Sequence, residues 1–82
     1  MADQDADVIE RIEQLAHEEH GLFEKESRGE ASTHERSRLK EIEVQLDQAY
    51  DLLRQRRARR AAGLDPAGAA IRDEATVEGY EA

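Results

Sequence analysis

The chain reads as an all-α antiparallel two-helix hairpin of coiled-coil character, followed by a short C-terminal helix or tail. Three observations predict it. Apolar residues recur at alternating intervals of three and four in two long segments, a glycine separates the segments, and a serine capping box opens the second. The expected organisation is a hairpin over residues 1–64 and a short helix with a flexible tail over residues 65–82.

In the first segment the stripe is Val8, Ile12, Leu15 and Leu22, widened by Ile9, Ala16 and Phe23. Asp7 with Glu10 three residues later has capping-box spacing, and Asp3, Asp5 and Asp7 suit the positive end of a helix dipole. Glu19 stands where the repeat calls for an apolar side chain. Its carboxylate either snorkels to the edge of the seam or pairs with a base such as Arg38 or Lys40 and fixes the register. Gly21, in the same turn, weakens that part of the helix.

Gly29 in Arg28-Gly29-Glu30-Ala31 marks the reversal, and Ser32 with Glu35 opens the second helix, which meets no glycine or proline before Gly63. Its stripe is Leu39, Ile42, Leu46, Ala49 and Leu53, widened by Tyr50, and Glu41, Glu43, Asp47 and Asp51 are expected mostly on the sides that reach water. Gly63 before Leu64 predicts a left-handed stop with a hydrophobic contact behind it. Asp65-Pro66 then supplies a cap and a first helical residue for a short third helix to about Arg72, which Gly68 weakens. In the tail only Val77 and Tyr80 could anchor.

Folding at Gly29 and Glu30 sets Leu22 by Leu39, Leu15 by Leu46, Ile12 by Ala49 and Val8 by Leu53. It also brings the arginines between Arg54 and Arg60 beside Asp3, Asp5 and Asp7. At 82 residues, with 4% aromatic content, the chain has little to fill a private core, so self-association is expected to supply the rest. The expected assembly is two chains forming a four-helix bundle through Ile12, Leu15, Leu22, Phe23, Leu39, Ile42, Leu46, Tyr50 and Leu53.

The net charge of −8 is unevenly spread: nine acids face two bases in residues 1–26, whereas five acids face six bases in residues 54–82. Overall acidity opposes non-specific binding to nucleic acid or an anionic membrane. The run RQRRARR, with Arg54, Arg56, Arg57, Arg59 and Arg60, is the strongest local chemical signal. Three readings stand beside it: neutralisation by the acidic N-terminus and the helix end, contact with an acidic protein surface, and phosphate binding to nucleic acid. The first is favoured, and no aromatic residue interleaves the run to stack on bases.

A metal-binding alternative rests on Glu13, His17, His20 and Glu24, but neither the zinc-protease nor the di-iron spacing occurs, and a solvated polar face is the preferred reading. No cysteine is present to serve as thiolate ligand or nucleophile, and the hydroxyls of Ser27, Ser32, Thr33 and Ser37 have no acid and histidine arranged around them. The sequence thus predicts a non-enzymatic interaction or adaptor module without a cofactor. With no basic and apolar leader in MADQDADVIE and no run of the ~20 apolar residues that span a bilayer, the expected setting is cytoplasmic and away from the membrane.

The stretch EIEVQLDQAYDLLRQRRARRAAGLDP, with the preceding Glu35 to Leu39 and the closing V-E-G-Y of Val77 to Tyr80, resembles a family of small actinobacterial proteins, domain of unknown function 2630. The resemblance covers nearly the whole chain. It implies a helical hairpin in a bacterial cytosol and supplies no activity. Ala49 departs from the cysteine common in that family, so no thiol role carries over.

Overall fold

Both glycine stops and the serine box act where their chemistry requires. The computed structural model describes residues 3–74, with side chains from Asp5 onward, so the expected anchors Val77 and Tyr80 lie outside the described residues. It contains α1, Asp3–Ser27; α2, Thr33–Ala61; and a short 3-10 turn, Pro66–Gly68. No strand occurs among the described residues.

At the end of α1 the chain enters the left-handed region at Gly29, with φ of 71°. The Gly29 amide then donates to Glu26 and the Glu30 amide reaches back to the Lys25 carbonyl at 2.9 Å, which satisfies carbonyls the helix leaves open. Gly63 repeats the device after α2, with φ of 75° and the Leu64 amide donating to Arg59. Leu64 itself is 53% exposed, so the expected hydrophobic contact behind this stop is slight. Ser32 and Glu35 exchange reciprocal hydrogen bonds of 3.0 Å, forming the expected capping box.

One helix start differs from expectation. Asp7 lies inside α1 rather than capping it, because the helix begins at Asp3. Three early aspartates each suit the positive end of the dipole, so the sequence does not single out one of them. Extending the helix to Asp3 holds Asp5 against α2, where it gains arginine partners.

The helices pack around Leu15, Ile42 and Leu46, flanked by Ile12 and Leu22. Leu39 and Leu52 are also buried. At ~1.5–3 kcal/mol per buried large aliphatic side chain, these residues drive the pairing, and five of them make a small core.

Beyond Gly63 the chain turns back along α2. Asp65 caps the turn by accepting from the Ala67 amide at 2.9 Å. Between Gly63 and Arg72 only Pro66–Gly68 is helical, so the expected extension to about Arg72 is absent. The physical reason is a side-chain substitute for helix hydrogen bonding: the Gln55 amide donates to the Ala70 carbonyl at 2.6 Å and accepts from the Ala70 amide at 3.3 Å. Gln48 adds a bond of 3.3 Å to the Arg72 carbonyl.

Asp51 completes this strap and corrects a sequence expectation. Expected to reach water, it has 0% exposure. Arg72 grips both its oxygens, at 2.6 and 2.8 Å, and Gln55 donates to one of them at 2.8 Å. A carboxylate on the side away from α1 is covered because the strap, rather than solvent, occupies that side.

Candidate functional site

An antiparallel helix pair has a seam and two flanks, and here the flanks differ. On one flank polar groups bridge the helices. Arg11 donates to Gln45 at 3.2 Å, and Arg38 donates through two nitrogens to both oxygens of Glu18 at 2.6 and 2.9 Å. Near the turn Lys25 pairs with Glu35. The register pair therefore forms with Glu18 rather than Glu19, and Glu19 is half-buried at the seam edge. The Arg38 hydrogen bonds hold the Glu18 carboxyl below its usual range and raise the arginine. Lys25 and the Ser32 amide together lower Glu35 to about 2.

The strap lies on this same flank. Gln45, Gln48, Leu52, Gln55 and Arg59 follow one another on α2 at intervals of three and four, so they form a second stripe beside the seam. Between strap and hairpin lies an open cleft of about 350 Å³, lined by Val8, Leu15, Ala49, Leu52 and Ile71, with Asp7, Arg11, Gln45 and Gln48 also at its walls.

The opposite flank carries Ile9, Ile12, Ala16 and Phe23 from α1 with Tyr50 and Leu53 from α2, as follows from about 100° of rotation per residue in paired helices. Phe23 and Tyr50 are each 46% exposed, and Ile9, Ile12 and Leu53 are half-buried. Of the nine residues expected to build an assembly, Leu15, Leu39, Ile42 and Leu46 are consumed within the hairpin, and Ile12 and Leu22 pack against that core. On this flank the apolar surface still open to a second molecule centres on Phe23 and Tyr50.

Among the described residues the arginine run meets the acidic N-terminus at Asp5. Arg60 pairs with Asp5 at 2.6 Å and Arg56 approaches its other oxygen at 3.5 Å, while Asp5 is 8% exposed. Arg59 donates to the Asp65 carbonyl at 2.6 Å. Arg54 and Arg57 are exposed. Asp7 lines the cleft, and the Asp3 side chain lies outside the described residues.

The remaining candidates do not converge. His20 and Glu24 approach to 3.1 Å along one exposed helix face, and Glu13 and His17 are also exposed. Among the described residues no group of three or more histidine, aspartate or glutamate side chains is placed to hold a metal ion. Nor is any helix among them long and apolar enough to cross a membrane.

With this geometry in place, comparison with known proteins is decisive about kinship. A family model described as "Protein of unknown function (DUF2630)" matches residues 4–82. The chain belongs to the DUF2630 family. Uncharacterized proteins of Mycobacterium tuberculosis and Mycobacterium bovis are 43% identical to it over 77 residues, covering 93% of this chain and 88% of theirs. No solved structure matches the chain.

In this DUF2630 chain, sequence reasoning missed three α2 residues that meet the strap: Asp51, Leu52 and Gln55. Gln45, Gln48, Leu52, Gln55 and Arg59 repeat the helical spacing in mostly polar residues, a pattern that a solvated face shares, so spacing does not announce the strap.

Proposed function

We propose that this DUF2630 protein is a non-enzymatic, self-associating helical interaction module, whose assembly face is the flank bearing Phe23 and Tyr50. The observation that carries the reading is the asymmetry of the hairpin. One flank is bridged by Arg38, Arg11 and the strap, which enclose the cleft beside Ile71, whereas the other has no such bridge described and leaves two aromatic rings 46% exposed beside half-buried Ile12 and Leu53. Aromatic side chains offer much contact area at small entropic cost, so they are favoured anchors of protein interfaces. A second chain covering this flank would add the apolar burial that the small core lacks.

Phosphate binding by the arginine run receives less support, because Arg56, Arg59 and Arg60 already engage Asp5 and the Asp65 carbonyl. The exposed Arg57 remains available to an acidic protein partner, and a cytoplasmic setting fits such a module. The test is the mass of surface variants by light scattering. Phe23→Glu and Tyr50→Glu should each lower the assembled fraction while helical content stays native. Unchanged mass in both variants would reject this flank as the assembly face.

A further inference from the structure

Resting on the self-association proposed above, we infer that two copies pair α2 against α2 in antiparallel fashion, about a twofold axis at Tyr50, through a self-complementary stripe of charge. Along α2, Glu43, Asp47, Tyr50, Arg54 and Arg57 recur at intervals of four, three, four and three, which keeps them on one face within about 80° of one another. Glu43, Tyr50, Arg54 and Arg57 are exposed and Asp47 is half-buried. The order is acid, acid, aromatic, base, base. Such a stripe is its own complement only when reversed.

A twofold axis through Tyr50 sets Glu43, seven residues before it, opposite the partner's Arg57, seven residues after it. Asp47, three before, meets the partner's Arg54, four after. Each charged end then lies about 10 Å from the axis, and each attraction occurs twice by symmetry. Tyr50 packs against its own copy at the centre, where an interface concentrates its apolar anchors. A parallel pairing in the same register sets Glu43 against Glu43 and Arg57 against Arg57, so like charges oppose it. The seam side of α2 faces α1 and the Gln48, Leu52 and Gln55 face meets the strap, whereas Glu43, Tyr50 and Arg57 stand exposed to a second molecule. The occupant of this stripe is a second copy of the chain, because its charge order matches itself.

The experiment is sedimentation equilibrium at ~50 mM salt on the full chain, on Glu43→Arg, on Arg57→Glu and on the variant carrying both changes. Circular dichroism confirms the fold of each. Either single change places like charges together at two symmetric points and is expected to weaken the dimer about tenfold, given the modest strength of exposed ion pairs. The double change restores opposite charges and should return the dissociation constant to within about threefold of native. A native dimer with unaffected singles, or with a double variant no tighter than the singles, overturns the antiparallel pairing and leaves self-association standing. A native monomer overturns both.

Discussion

Arg72 reaches back twenty-one residues to hold both carboxylate oxygens of Asp51, at 2.6 and 2.8 Å, where that carboxylate has no exposure to solvent. This contact turns a two-helix hairpin into a three-sided unit. It fixes the strap along one flank of α2, builds a wall of the apolar cleft, and leaves the opposite flank, with Phe23 and Tyr50, uncovered by the strap.

Removing one partner of that pair is expected to be costly. Arg72→Ala leaves a buried carboxylate that still accepts from Gln55 but has lost its counter-ion, and should destabilise the chain by about 2–4 kcal/mol, below the upper range for buried pairs because the guanidinium is partly exposed. Replacing Asp51 by Asn as well should recover part of the loss. Urea denaturation of the single and double variants measures this coupling, and additive losses would mean the two groups act independently.

Asp5 is the second structural carboxylate. Asp5→Ala removes the anion that Arg60 and Arg56 share and sets the two guanidiniums against each other beside the N-terminal part of α1. A loss of about 1–3 kcal/mol is expected, reduced by added salt. Denaturation midpoints at low and high ionic strength provide the check.

Glu35 gives a pH signature. Its folded pKa is lowered to about 2 by Lys25 and the Ser32 amide, from an ordinary value near 4.5. A depressed carboxyl contributes stability that is fully present above the unfolded value and is lost as pH falls through the folded one. Its contribution should therefore fade between about pH 4.5 and pH 2. Comparing Glu35→Gln with native protein across that window should show their difference shrinking with acidification, and a constant difference would contradict the assignment.

Gly29 occupies the left-handed region at φ of 71°, with open space where a Cβ would stand. Gly29→Ala should cost about 1 kcal/mol from backbone strain alone. Thermal melts of this variant should shift, whereas Gly21→Ala, inside α1 with no crowding neighbour, should raise stability by a similar amount.

Much of this fold can be read from residue spacing because helices in a hairpin have one dominant neighbour. The three-four repeat places Leu15, Ile42 and Leu46 together, and the Ser32 box and Gly29 stop mark the reversal. The meeting of Asp5 with Arg56 and Arg60 follows from the same register. The strap escapes that logic. A single-seam repeat assigns Asp51 to water, and nothing in Arg72 alone says that it returns to cover α2. Likewise Glu18 and Glu19 are adjacent acids near the seam, and only the side on which Arg38 lies selects Glu18. On the candidate interface, the sequence names Phe23 and Tyr50 among nine residues but does not separate them from those that the hairpin consumes. Burial makes that separation, since Leu15, Leu39, Ile42 and Leu46 are inside.

If a second chain covers the flank of Phe23 and Tyr50, sedimentation equilibrium of the native protein across a range of concentrations should give a mass of two chains that falls reversibly toward one on dilution. The mass of one chain at every concentration would rule out self-association through that flank.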